Sequence, residues 1–327
     1  MKKAAVTAVM WLVLCALFPT AAWARELVVG GQAVGIQVGT SGVIVAGLTQ
    51  VESASGAKSP AESAGVQKGD VISEINGERV DKAAALIDAV AELEGKSAVL
   101  TLTRGGKTLR VTVQPVQNKD GQWMLGMWLR DGVSGIGTLT FCDPETGLYG
   151  ALGHSISDSD SGALLPIGEG SITEAEIVAV TRGAPGAPGE LNGCADVGKE
   201  LGSIDANTAH GIFGKAYTAL GTRRVQTGEI TTGAATIVST VKGGAPREYS
   251  AEINRIYRDN EGEHVMLTVT DSELAAVTGG IVQGMSGSPI LQGGKLVGAV
   301  THVFVNDPMR GYGVSIQDML ASAGVAA

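Results

Sequence analysis

Aromatic side chains are scarce in this sequence, at 4%, and charged residues make up only 17%. So little charge beside 44% hydrophobic residues excludes a disordered, solvated chain. Acids outnumber bases by 33 to 24, which leaves no basic footprint for nucleic acid or an anionic membrane surface. Beyond the first two dozen residues no apolar run is long enough to span a bilayer. There are three cysteines. Cys15 lies in the apolar N-terminal run, and the bulky Leu14 before it does not suit a lipoprotein processing site. Cys142 and Cys194 either pair in an oxidising compartment or stay as isolated thiols, and their spacing does not choose.

Glycine, by contrast, is abundant at 48 residues, and it separates many short Val/Ile/Thr runs. That pattern is expected of tight turns between strands, hence a mainly β chain, and the length allows about two domains. Residues 1–24 stand apart. Lys2 and Lys3 precede an apolar run from Ala4 to Phe18, and Ala22-Trp23-Ala24 fits a cleavage site, so the segment reads as a signal peptide or an uncleaved signal anchor of an exported protein. Without Lys2 and Lys3, 22 bases face 33 acids, a net charge of −11.

Residues 31–116 read as one module. Gly35–Val38 and Gly42–Ala46 are strand-like, and Ser59-Pro60-Ala61-Glu62-Ser63-Ala64-Gly65 is a short helix that stops at glycine. A turn at Gly69-Asp70 leads into a strand ending at Asn76-Gly77, a strong turn signal. Asp81 is placed to cap a helix through Leu93, with Leu86, Val90 and Leu93 on one face. Strands over 98–104 and 109–114 close the unit. The run SPAESAGVQKGDVISEINGERV resembles bacterial PDZ domains. That resemblance implies a groove in which a peptide adds beside Gly35, Ile36, Gln37 and Val38, against Leu86 and Val90 of the helix. A structural spacer with an empty groove is the alternative.

Gln117-Asn118-Lys119-Asp120-Gly121 reads as a linker, followed by a second domain over residues 122–327 with strand-like pieces at 124–129, 136–141, 234–241, 249–257 and 265–270. Its informative segment is Gly284-Met285-Ser286-Gly287-Ser288-Pro289. Acyl transfer by serine needs an exposed hydroxyl on a tight turn whose N–H groups point at the developing oxyanion, and glycine permits the close approach. Ser286 is the candidate nucleophile, with the N–H groups of Gly284 and Ser286 as the oxyanion hole and Ser288 as the next candidate. A serine needs a base. His154, in a strand-to-turn segment Tyr149–Asp158 upstream of the serine, is the candidate. His210 and His264 sit in polar sequence and read as solvated, while His302 either lines the cleft or faces outward.

The segments YGALGHSISD, NTAHGIFG and GGIVQGMSGSPILQGGKLVGAVTHVFVNDPMRGYGVSI are similar to the stage IV sporulation protein B serine peptidase family. The resemblance implies a PDZ module followed by a chymotrypsin-like double β-barrel, serine endopeptidase activity outside the cytoplasmic membrane, and cleavage of membrane-associated regulatory proteins as partners in sporulation signalling. It implies no cofactor and no metal. It carries the triad acid to Asp271, 15 residues before Ser286, and a supporting role to Thr301. Asp271 alternatively caps a helix beginning near Glu273, and Asp158 and Asp160 compete for the acid's role. Two other functions remain. A non-catalytic PDZ scaffold is opposed by the intact Gly284, Ser286, Gly287 and His154, and a quality-control protease of the HtrA type by the domain order.

Overall fold

The computed structural model describes residues 25–157 and 164–325. Strand β1 (Glu26–Val29) leads into β2 (Ala33–Leu48), one continuous 16-residue strand where the sequence suggested two. There follow the hairpin β3 (Val51–Ser53) and β4 (Gly56–Lys58), the helical turn Pro60–Ser63, β5 (Val71–Ile75), β6 (Glu78–Arg79), the helix Ala83–Glu92, β7 (Ala98–Arg104) and β8 (Lys107–Val113). Then come β9 (Val116–Gln117), β10 (Trp123–Met124) and a second 16-residue strand, β11 (Met127–Cys142).

The two long strands pair antiparallel along their length, from Leu48↔Met127 at one end to Ala33↔Thr138 at the other. Everything between them in sequence, from β3 to β10, packs at one end of this ribbon. There the outer part of β2 pairs with β5, and the sheet continues through β7 to β8 over a core of Val43, Ile72, Leu86, Val90, Leu100 and Leu102. The module is therefore an insertion into a hairpin, not a unit starting at residue 31. Residues 26–38 belong to the second domain, because Gly35–Val38 hydrogen-bond on both sides to strands of that domain. Nor is 117–121 a linker. It is the turn of the β9–β10 hairpin, with Asn118 Oδ1 accepting from the N–H groups of Asp120 and Gln122. Asn76-Gly77 forms the expected turn between β5 and β6, both residues at positive φ. Asp81 does not cap the helix; Lys82 is the N-cap residue, and the carboxylate of Asp131 on β11 accepts the Ala83 N–H instead.

After β11 the chain forms β12 (Leu148–Ala151), β13 (Ile167–Thr181), β14 (Glu190–Ser203), β15 (Ala206–Thr208), β16 (Gly211–Lys215) and β17 (Arg224–Gln226). The inner halves of β2 and β11, with β12, β13, β14 and β16, curl into the first barrel, closed by the Gly202↔Ala216 bridge between β14 and β16. Its core holds Val34, Ile36, Leu139, Tyr149, Ile172 and Ile212. The buried Tyr149 hydroxyl donates to Ser203 O at 2.7 Å, and burial pushes its phenol well up, so it remains a donor.

The second barrel is a closed set of six: β18 (Gly233–Ser239), β19 (Arg247–Arg258), β20 (Glu263–Val269), β21 (Pro289–Gln292), β22 (Lys295–Val303) and β23 (Arg310–Ser315) in the order β18-β19-β20-β23-β22-β21. The helix Ser272–Thr278 lies between β20 and β21, and the helix Ile316–Ser322 follows β23. Alternation of buried and exposed residues along β19 gives the inward row Tyr249, Ala251 and Ile253. Cys142 is buried in β11 and Cys194 exposed in β14, and both are free thiols. Among the described residues no helix is long and apolar enough to cross a membrane.

Candidate active site

The candidate base, His154, comes from the first barrel. Beyond β12 the backbone takes two successive left-handed residues, Leu152 at φ 69° and Gly153 at φ 71°, before His154. A leucine in this region costs on the order of 1–3 kcal/mol, and such strain persists only where packing over-determines it. Leu152 is buried, its side chain lies over Gly137 and its N–H donates to Thr138 O at 3.3 Å. On the far side Asn207 clamps the loop: its Oδ1 accepts from Ile156 N, and its Nδ2 donates to Ile156 O and Leu165 O.

The candidate nucleophile, Ser286, comes from the second barrel, in the segment between the helix Ser272–Thr278 and β21. Gly287 has φ 94°, and a Cβ there would lie 2.1 Å from Thr138 O and 2.5 Å from Leu152 N, so only glycine fits between the two barrels. Strand β11 holds the turn by its carbonyls. Thr138 N–H donates to Ser286 O at 3.0 Å, Thr138 Oγ1 to Gly284 O at 2.8 Å and Thr140 Oγ1 to Gly287 O at 2.8 Å. Among the described residues the N–H groups of Gly284 and Ser286 have no acceptor. That leaves both expected oxyanion donors free for a ligand.

His154 Nδ1 sits 2.8 Å from Ser155 O, which assigns the proton to Nδ1 and makes Nε2 the acceptor, the tautomer a general base requires, and among the described residues Nε2 has no hydrogen-bond partner. Burial lowers its pKa, and the Ser155 carbonyl opposes this only in part. The Ser286 hydroxyl donates to Thr301 O at 2.7 Å rather than to His154. Thr301 is thus a partner of the nucleophile through its carbonyl, not a hydroxyl supporting an acid. The His302 ring lies against His154, centroids 4.6 Å apart and planes tilted 32°.

Asp271 is not in this cluster. It caps the helix Ser272–Thr278, with Oδ1 accepting from Leu274 N at 2.9 Å and Oδ2 from Ser250 N at 3.3 Å. The assignment as triad acid is therefore corrected to that of an N-cap, since both carboxylate oxygens are directed at backbone amides of its own barrel. Asp158 and Asp160 lie outside the described residues. Ser288 is fully buried with its hydroxyl on Ser239 Oγ, which removes it as a rival nucleophile. His210 is half-buried rather than solvated, its Nδ1 2.7 Å from Ser322 Oγ and its Nε2 buried without a partner. His264 pairs with Asp259 at 3.1 Å on the other side of the barrel.

The inferred peptide groove is also displaced. Gly35, Ile36, Gln37 and Val38 lie between β11 and β13 and offer no free edge. A free edge lies instead on β11 at Met127–Arg130, which among the described residues pairs with β2 alone. Met127 and Leu129 pack on the same cluster as Leu86 and Val90 of the helix, two residues that are buried in the core beside this edge. At its head, Leu125-Gly126 turns with Gly126 at φ 74°, and among the described residues neither N–H has an acceptor. The glycine turn ahead of an alternating strand in Leu125-Gly126-Met127-Trp128 was the sequence signal for this site.

Two β-barrels that present a glycine-framed serine, two free backbone donors and a neutral histidine at their junction, with an inserted peptide-binding fold, define a serine peptidase carrying a PDZ domain. The chain belongs to the SpoIVB peptidase S55 family, which matches residues 121–320, and the PDZ domain family matches residues 53–104. Among solved structures it is similar to the PDZ domain of the SdrC-like protein from Listeria monocytogenes, at 24% identity over 28% of this chain and 90% of that one, with a TM-score of 0.23. It is also similar to the Rv3671c protease from M. tuberculosis. The active form of that protease is 14% identical over 60% of this chain and 76% of its own, with a TM-score of 0.38. The inactive form is 11% identical over 59% and 85%, with a TM-score of 0.36.

Proposed function

We propose that this serine peptidase is an exported endopeptidase that cleaves regulatory membrane or extracytoplasmic proteins, as a signalling protease of sporulation. The observation that carries the chemistry is the pair of N–H groups at Gly284 and Ser286 and the His154 Nε2, none of which has a partner among the described residues. Rotation of the Ser286 side chain releases its hydroxyl from Thr301 O and presents it to His154 Nε2. That nitrogen takes the proton as Oγ attacks the scissile carbonyl, and later returns it to the leaving amine. The two N–H groups stabilise the oxyanion, and loss of one such donor elsewhere costs about 10²–10³ in rate. Export is supported by the basic start and apolar run of residues 1–24. Recruitment is supported by the β11 edge, where a peptide adds as a further strand with its terminal carboxylate at the Leu125-Gly126 turn.

A fluorophosphonate probe tests the chemistry directly: wild-type protein labels and Ser286→Ala does not, while incubation with an unfolded protein yields internal fragments. Labelling of a folded Ser286→Ala protein would overturn the assignment of the nucleophile. Cleavage confined to chain ends would overturn endopeptidase action.

A further inference from the structure

A histidine that serves as base needs a fixed tautomer and a fixed ring plane, and in a serine triad one carboxylate supplies both. Here the Ser155 carbonyl supplies the tautomer, and Asp271 is committed to a helix end. The ring that faces the His154 imidazole is that of His302.

The local fold explains why His302 is there. Strand β22 pairs with β23 at Gly298↔Ser315, Ala299↔Val314 and Val300↔Gly313, but the next partners are Val303↔Gly311. Three steps on β22 therefore match two on β23, which is a bulge at Thr301-His302. Bulges re-aim side chains, and they concentrate beside active sites. This one directs the Thr301 carbonyl to Ser286 Oγ and the next side chain to the His154 ring. His302 is exposed as a residue, and one face of its ring lies against His154.

We infer that His302 is a positioning residue for the general base: its ring is the wall that sets the His154 imidazole plane and shields it from water. Its own charge state suits the role. Although the residue as a whole is exposed, desolvation of its ring and then the neighbouring His154 push its pKa down to about 4, so the ring is neutral when His154 becomes an imidazolium and does not repel it. Among the described residues His302 is the titratable side chain recorded against the His154 ring. Asp158 and Asp160 of the His154 loop lie outside them, and Asp271 faces Ser250 and Leu274.

The inference rests on Ser286 and His154 as nucleophile and base. Loss of labelling in Ser286→Ala and His154→Ala tests that reading separately, before any His302 variant is made. The full-length chain is then titrated with a fluorophosphonate to separate the maximal labelling rate from half-saturation, across a pH range of about 5 to 9. His302→Ala is expected to lower the maximal rate about 10–100-fold, the scale of a misplaced catalytic group, with half-saturation nearly unchanged. Its acid limb is expected to move up toward the ordinary histidine value of about 6.5 as water reaches the ring. His302→Phe, which keeps a wall, is expected to restore most of the rate.

A His302→Ala protein with wild-type rate and acid limb overturns the inference. So does a change in half-saturation alone, which would make His302 a substrate contact. Should His302→Ala not fold, His302→Phe decides: a folded His302→Phe protein as slow as Ser286→Ala shows that the wall is not what matters.

Discussion

Asp271→Ala and Asp271→Asn separate a helix cap from a catalytic acid. Asp271 Oδ1 accepts from Leu274 N and Oδ2 from Ser250 N, so alanine removes one cap bond and leaves a second amide without its partner. An N-cap truncation costs about 0.5–2 kcal/mol. In a domain of this size each 1 kcal/mol lowers Tm by roughly 2–4 °C, so Asp271→Ala is expected to melt a few degrees early. Asparagine keeps the cap on Leu274 N through its one side-chain oxygen but cannot also accept from Ser250 N, so Asp271→Asn is expected to melt between Asp271→Ala and wild type. Because the carboxylate does not touch His154, Asp271→Asn is also expected to label with a fluorophosphonate at close to the wild-type rate. A triad acid behaves otherwise, since its amide replacement keeps the geometry and loses on the order of 10⁴ in rate. Thermal melts and labelling rates on the same three proteins give the answer. A folded Asp271→Asn protein whose labelling is slowed about 10³-fold or more would refute the cap reading.

Thr138→Val leaves the Gly284 carbonyl without its donor at a buried site, and is expected to cost about 1–3 kcal/mol in urea unfolding together with slower labelling; an unchanged midpoint would contradict the role given to β11. Gly287→Ala drives a Cβ into Thr138 O and Leu152 N, so little folded, probe-reactive protein is expected, and a fully active variant would show that the two barrels do not meet there as described. Burial holds the His154 pKa below its ordinary value of about 6.5. The neutral base therefore persists to lower pH, and the acid limb of the labelling rate is expected below that value; a midpoint above it would refute the burial argument. The same shift means that charging His154 is disfavoured in the fold, so its contribution to stability is lost as pH falls below its unfolded pKa. Finally, deleting residues 25–116 removes β1 and the barrel half of β2, and is expected to abolish labelling. Replacing residues 41–130 by an Asn-Gly turn rejoins β2 to β11 and is expected to preserve it, and the reverse order of outcomes would restore a boundary near residue 116.

What the sequence alone determined is local. The glycines around Ser286, the Asn76-Gly77 turn, the apolar face of Leu86 and Val90 and the strand-to-turn setting of His154 are each decided within a few residues, because backbone sterics and side-chain periodicity act at that range. Two distinct β-rich units were legible for the same reason. Which residues share a strand was not. A single 16-residue strand and two short ones carry the same alternation, so the long β2–β11 ribbon, the insertion of the PDZ domain into it and the transfer of Gly35–Val38 to the peptidase barrel emerge only when both edges of β2 find partners. The role of Asp271 turned likewise on tertiary placement. Sequence spacing suits a triad acid and an N-cap equally, and the choice falls to where the carboxylate's two oxygens lie once β19, β20 and the helix Ser272–Thr278 have packed. The contact of His302 with His154 needs a bulge in one barrel and a left-handed Leu152-Gly153 turn in the other, two backbone irregularities that only the packing of the two barrels against each other can hold in place.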